Sequence, residues 1–181
     1  MTGWHAPALS LPLTPHMSQK VLVIGGSGRI GRSVANDILS HTSAQVTITG
    51  RSVESINLSA SATVESATAA HDLIIHCAGP FRSRDHHVLT TCIAQGKPYL
   101  DVADSPDYVN QALKYRDQAK AAGVTAIIST GIFPGISGSM VRQGVEKLDK
   151  AENVHLSYLV AGSGGAGVTV MRTPYLGSKP R

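Results

Sequence analysis

The 181-residue sequence contains few cysteines, few aromatic side chains and few charges. Two cysteines, Cys77 and Cys92, cannot build a disulfide framework, and neither stands in a C-x-x-C spacing, so a reduced, cytoplasmic compartment and no metal site are predicted. No apolar run approaches the roughly 20 residues of a bilayer span. Although only 15% of residues are charged, 42% are apolar, which excludes a disordered chain.

The charges that are present are scattered along the chain. Lys and Arg number 16 against 12 Asp and Glu, which gives a formal net charge of +4 without a basic block. This distribution predicts neither a nucleic-acid partner nor a membrane partner. The expected partner is a small molecule, with a weak preference for anions, and a homo-oligomer is compatible with the composition.

Short apolar runs alternate with segments of helical periodicity. Such alternation is typical of βαβ units, so we predict an α/β fold with a doubly wound, Rossmann-like, mostly parallel sheet. Residues 52–70 are mostly Ser, Ala and Thr and predict no element. Strands are predicted at Lys20–Gly25, Gln45–Thr49, Leu73–Ala78, Tyr99–Ala103, Val124–Ser129 and Val154–Ala161, and helices at Arg29–Ser40, around Val88–Ile93, from a Ser105 cap to Gly123, and at Ser137–Leu148.

A glycine-rich turn follows the first strand directly and precedes the first helix. Gly26, Gly28 and Gly31 form G-x-G-x-x-G, which lets a backbone approach a pyrophosphate held at the helix N-terminus. No Gly-Lys-Ser/Thr follows, which excludes a kinase-like phosphate loop. The motif therefore predicts a dinucleotide site, and its predicted contacts are Gly26, Ser27, Gly28, Arg29, Ile30 and Gly31.

The end of the second strand indicates which dinucleotide binds. NAD sites place a carboxylate about 20 residues beyond the glycine turn, whereas this chain has Thr49-Gly50-Arg51-Ser52 there. Guanidinium donors match phosphate geometry, so Arg51 and Ser52 are predicted to bind the 2′-phosphate of NADP.

Several motifs in order resemble the saccharopine dehydrogenase-like family. They are the glycine turn, Gly50-Arg51, the segment from Asp72 to Phe81, Tyr99-Leu-Asp-Val-Ala-Asp104, Gly131-Ile-Phe-Pro-Gly135 and Gly162-Ser-Gly-Gly-Ala-Gly167. The resemblance implies an NADP-dependent oxidoreductase that transfers hydride to or from a small polar, amino-acid-derived substrate. It also implies that Ala78, Gly79 and Pro80 lie along the cofactor, and that Asp104 falls at the family's acidic position.

The chain departs from the family pattern in two places. Residues 52–71 are too short for the helix and third strand that the family places there, which implies a shortened adenine side. We interpret residues 1–17 as a disordered tail, 18–150 as the dinucleotide-binding domain and 151–181 as the truncated start of a substrate domain. An NADP-binding module or sensor without turnover is therefore the alternative function.

A short-chain dehydrogenase is a further, weaker alternative. Tyr175 and Lys179 form Y-x-x-x-K, with Ser163 upstream. Tyr175 and Lys179 would have to share one helix face, and Pro174 and Gly177 disfavour a helix there.

Other polar residues at strand ends are weaker candidates for chemistry. Asp101 alternates with apolar neighbours and is interpreted as a structural hydrogen-bonding residue, with Cys77 as an inert thiol. His76 also lies near a strand end, where a ligand crevice is expected. Adjacent histidines, His86 and His87, point in different directions on a helix and are not predicted to bind a metal.

Overall fold

The computed structural model describes residues 19–50 and 61–157. Within these ranges, five parallel strands form one sheet in the order β2-β1-β3-β4-β5. The order reverses at β1, so the switch point at which open α/β sheets bind ligands lies beyond the carboxyl ends of β1 and β3. The strands are β1 (Lys20–Ile24), β2 (Gln45–Ile48), β3 (Leu73–His76), β4 (Tyr99–Asp101) and β5 (Ala126–Ile127).

Helices cover both faces of this sheet. On β1, Val21 and Val23 pack toward one face with Ala35, whereas Leu22 and Ile24 pack in the larger cluster on the other face. Alternate side chains of a strand point to opposite faces, so a continuous apolar strand needs cover on both. The predicted doubly wound, Rossmann-like fold is confirmed. In the described residues the helices are α1 (Arg29–His41), α2 (Ser61–Ala69), α3 (His87–Ala94), α4 (Pro106–Ala112), α5 (Arg116–Ala121) and α6 (Ile136–Val145).

The segment before β3 contains a helix that the sequence pattern did not predict. Helix α2 occupies Ser61–Ala69 and buries Val64 and Thr68, which are one turn apart. Its remaining residues are short and polar or small, so almost no apolar periodicity marks it. The helix forms because these two side chains pack against the sheet and α3, a contact that a local pattern does not contain.

Three other predicted elements differ from the observed ones. The helix expected from Ser105 to Gly123 is divided by a 3₁₀ turn at Leu113–Tyr115, and the Ser105 side chain makes no capping hydrogen bond. The last strand of the sheet is only Ala126–Ile127, shorter than Val124–Ser129. Residues 154–157 of the predicted strand Val154–Ala161 form no strand, and the rest of that prediction lies outside the described residues.

Helix α1 packs on the sheet with Val34 and Ile38 half-buried against the core. Its buried residues are Gly31 and Ala35, while Ile30 is 45% exposed. Small residues at these two positions allow the helix to lie close to the sheet. None of the described helices is both long and apolar enough to cross a bilayer.

Candidate functional site

The glycine turn after β1 is closed by its own backbone. The Gly26 amide donates to Val23 O at 3.1 Å, and the Gly28 amide donates to Gly25 O at 2.9 Å. Gly25 has φ +82°, a left-handed conformation that favours glycine. The tight turn therefore depends on Gly25. The G-x-G-x-x-G motif was assigned to Gly26, Gly28 and Gly31 and did not include Gly25, although Gly25 is the first glycine after the strand.

The N-terminus of α1 is open toward solvent. Gly28 is the N-cap, it supplies no side-chain cap, and the first turn carries no acidic residue. The first intrahelical hydrogen bond joins the Arg32 amide to Gly28 O, at 2.9 Å, so the preceding amides make none within the helix. A β-carbon on Gly31 would collide with Gly25 O, which explains a glycine there. A positive helix end with no acid in its first turn fits a dinucleotide's pyrophosphate.

The loop after β3 lies directly against this turn. A β-carbon on Gly25 would stand 2.8 Å from the Ala78 amide nitrogen, and the Cys77 amide donates to Ile24 O at 2.7 Å. From the other side, Arg84 Nε donates to Ala78 O at 3.1 Å. The structure thus brings the predicted residues Ala78, Gly79 and Pro80 to the edge of the sheet where the glycine turn lies. Nothing in the sequence pattern marked Arg84.

The end of β2 also reaches the glycine turn. Thr49 Oγ1 accepts from the Gly25 amide at 3.4 Å, and the Ser27 amide donates to Thr49 O at 3.4 Å. A β-carbon on Gly50 would overlap Ser27 Oγ, so only glycine fits between them. Arg51 and Ser52, the predicted 2′-phosphate residues, lie outside the described residues.

Two aspartates near the end of β4 have different environments. Asp104, the predicted catalytic residue, is exposed in the loop that leads to α4. Asp101 is completely buried, and its carboxylate accepts from Tyr99 OH at 3.0 Å, the Ala103 amide at 3.0 Å and the Ser129 amide at 2.8 Å. Asp101 therefore has the structural role predicted for it, because it holds the loops after β4 and β5 together.

A buried polar cluster lies beneath this edge of the sheet. Tyr99 OH lies 3.3 Å from both His76 Nδ1 and Tyr108 OH. Burial, followed by the positive charge of Arg84, lowers the pKa of His76 to about 4, and burial raises the pKa of Tyr108 to about 12. The imidazole of His76 is therefore neutral at pH 7, and these rings support the site rather than exchange protons there.

The two thiols are poor nucleophiles. Burial and then the Asp101 charge raise the pKa of Cys77 to about 11, and burial raises the pKa of Cys92 to about 12. A nucleophilic cysteine needs a depressed pKa, so this environment agrees with the prediction that Cys77 is inert.

One of the two adjacent histidines is held by a tyrosine. His86 stacks on Tyr108 with ring centroids 4.3 Å apart, and its Nε2 donates to Tyr108 O at 2.9 Å. Over residues 19–50 and 61–157, no three His, Cys, Asp or Glu side chains gather as metal ligands would. The short-chain dehydrogenase alternative, on Ser163, Tyr175 and Lys179, lies outside the described residues.

A parallel sheet with a glycine turn at its switch point defines the class of dinucleotide-binding α/β domains. The profile of one family, the saccharopine dehydrogenase NADP binding domain, matches residues 21–127, more than half of the chain. The chain belongs to this family, and NADP is the cofactor of the domain. The predicted family and cofactor are both confirmed.

Two relatives place this domain within longer proteins. A probable mitochondrial saccharopine dehydrogenase-like oxidoreductase from Arabidopsis thaliana is 32% identical over 60 residues, which are 33% of this chain and 13% of that protein. Apo saccharopine dehydrogenase (L-Glu forming) from Saccharomyces cerevisiae superposes with a TM-score of 0.62 at 16% identity, covering 72% of this chain and 31% of the yeast chain. The chain thus spans less than a third of either relative, and the yeast enzyme shows the fold alone.

Proposed function

We propose that this chain binds NADP across the carboxyl edge of its sheet as part of an NADP-dependent oxidoreductase. One observation carries the proposal. The uncapped N-terminus of α1, with no acid in its first turn, directly follows a turn whose close backbone packing requires Gly25 and Gly31. Ser27, Arg29 and Ile30 complete the turn, and the binding unit extends over residues 18–150.

The adenine side of the cofactor lies toward β2 in this proposal. Gly50 packs against Ser27 of the glycine turn, and Arg51 and Ser52 follow it in the sequence. Arg51 offers paired N–H donors to a 2′-phosphate, and Ser52 adds a hydroxyl. The nicotinamide half then extends in the opposite direction, past Ala78, Gly79 and Pro80.

A fluorescence titration with NADPH and NADH tests the cofactor site. We expect NADPH to bind roughly tenfold more tightly or better, because a charge-assisted phosphate contact is available only to it. Arg51→Gln should remove this preference, whereas Arg142→Gln on α6, which removes the same charge from an exposed position, should leave it unchanged. Equal affinity for NADH and NADPH in the native chain would overturn the NADP assignment.

The proposed reaction is hydride transfer to or from a C–N or C–O bond of a small polar, amino-acid-derived substrate. The cofactor supplies the hydride chemistry when bound, and the protein positions the substrate and provides an acid or base. Asp104 is the proposed acid or base, since it is exposed at the carboxyl edge where the nicotinamide half extends. The names of the two relatives, an oxidoreductase and a saccharopine dehydrogenase, support this reaction class.

Turnover separates this proposal from its alternative, an NADP-binding module without catalysis. The rate of NADPH oxidation is measured with pairs of a 2-oxo acid and an amino acid. Asp104→Asn is compared with Asp107→Asn, a matched control at another exposed aspartate. We expect only Asp104→Asn to lower the rate, with NADPH affinity unchanged in both. Binding without turnover on any pair would favour the module.

A cytoplasmic location remains a prediction, which fractionation of cells would test.

A further inference from the structure

Arg84 is a partly buried cation that is held in place by one of its five N–H donors. Its Nε donates to Ala78 O at 3.1 Å, and this bond orients the guanidinium beside the loop after β3. The Arg84 side chain makes no other hydrogen bond within the described residues. The four remaining N–H groups, on the two terminal nitrogens, are thus available to another acceptor.

The positive charge of Arg84 lacks a counterion in the described part of the chain. Ion pairs there involve His41, Arg142 and Lys150, and no carboxylate lies within 4 Å of Arg84. The neighbouring Asp85 instead accepts from the His87 amide at 3.2 Å. The Arg84 charge is strong enough at the end of β3 to contribute to the lowered pKa of His76.

Arg84 also lies next to the proposed path of the cofactor. Its partner Ala78 contacts Gly25, so one residue separates the guanidinium from the glycine turn. It lies on the β3 side of that turn, opposite Gly50 and the proposed 2′-phosphate site. The positive end of α1 and the Arg84 guanidinium thus belong to segments at the same edge of the sheet, and both would attract an anion.

We infer that Arg84 binds an anionic group at the nicotinamide side of the site, through the terminal nitrogens that Ala78 leaves open. Arginine suits this role because its planar donors pair with phosphate or carboxylate oxygens. The inference rests on the proposed function for the position of the cofactor. Two sources offer this chemistry: the nicotinamide-side phosphate of NADP and a carboxylate of the substrate.

Four probes test the inference on the full chain by calorimetry: inorganic pyrophosphate, NADP⁺, 2′,5′-ADP, and 2-oxoglutarate added to the NADP⁺ complex. The variants are Arg84→Gln, Arg84→Lys and, as the matched control, Arg82→Gln, which removes the same charge from an exposed residue of the same turn. Arg84→Lys retains the charge but loses the planar donor to Ala78. Thermal unfolding of each variant checks that the fold is intact.

If Arg84 binds the cofactor phosphate, Arg84→Gln should weaken the binding of pyrophosphate and of NADP⁺ about tenfold. The affinity for 2′,5′-ADP, which lacks that phosphate, should be unaffected. If Arg84 binds a substrate carboxylate, Arg84→Gln should weaken the binding of 2-oxoglutarate and of pyrophosphate. The affinity for NADP⁺ should then be unchanged. In either case Arg84→Lys retains part of the affinity. A purely structural Arg84 would instead make Lys as damaging as Gln.

Three results would overturn the inference: equal losses in Arg82→Gln and Arg84→Gln, equal losses in Arg84→Lys and Arg84→Gln, or no loss for any probe in Arg84→Gln. Failure of the proposed function has a different signature. The native chain would then bind pyrophosphate in an Arg84-dependent manner but show no preference for NADPH over NADH.

Discussion

Gly25 and Ala78 lie so close that a β-carbon on Gly25 would stand 2.8 Å from the Ala78 amide nitrogen. This contact joins the turn after β1 to the loop after β3, the two segments that flank the switch point of the sheet. A backbone contact of this kind leaves no flexible side chain to move aside. The geometry of the proposed cofactor site therefore depends on a glycine at position 25.

Gly25→Ala should destabilise the fold by roughly 2–4 kcal/mol, because the left-handed backbone and the collision with Ala78 both disfavour a side chain. Gly96→Ala is a matched control, since Gly96 has φ +67° and nothing within 4 Å of an added β-carbon. The control should cost only about 1 kcal/mol. Urea unfolding measures both, and equal losses would show that the contact with Ala78 is unimportant.

Stability should fall as the pH drops from 6.5 to 4. His76 has a pKa of about 4 in the folded chain against an ordinary value of 6.5, so the unfolded state binds a proton that the folded state excludes. The loss should approach about 3 kcal/mol by pH 4. The free energy of unfolding is measured across this pH range. Its fall of about 3 kcal/mol should disappear in His76→Gln and persist in His41→Gln, an exposed control. An unchanged pH slope in His76→Gln would contradict the assignment.

Asp101→Ala should destabilise the chain by roughly 3–5 kcal/mol, because it leaves Tyr99 OH and the amides of Ala103 and Ser129 without their acceptor. Asp101→Asn keeps one acceptor oxygen and should cost about 1 kcal/mol. Asp104→Ala, at an exposed site, should stay within about 0.5 kcal/mol. Thermal unfolding ranks the stabilities of the three variants. A large loss of stability in Asp104→Ala would contradict the conclusion that Asp101, and not Asp104, has the structural role.

Ser129→Gly should stabilise the chain by about 1 kcal/mol. Ser129 has φ +62°, where glycine carries no steric penalty, and its buried hydroxyl makes no hydrogen bond within the described residues. The same substitution at Ser139, inside α6, should instead destabilise by roughly 0.5 kcal/mol, since glycine disfavours a helix. Chemical denaturation distinguishes the two, and a Ser129→Gly variant less stable than the native chain would assign the hydroxyl a structural role.

Much of the fold was predictable because it is encoded locally. Each buried strand of a parallel sheet is a short apolar run, and a turn that brings backbone to a phosphate requires glycines at fixed spacing. Such patterns place the first strand, the glycine turn and α1 within a residue or two of their observed positions. Helix α2 escaped prediction because its stability comes from Val64 and Thr68 packing on distant residues.

The sequence by itself determined the fold class, the family and the cofactor, since alternating apolar runs and ordered motifs are local signals that survive without coordinates. Only the tertiary structure decided which glycine forms the tight turn, which aspartate is buried, and that Arg84 lies beside Ala78 with no counterion among the described residues. The physical reason is that contacts between loops depend on how strands are aligned in the sheet. Residues 24, 76 and 101 become neighbours only after β1, β3 and β4 have paired.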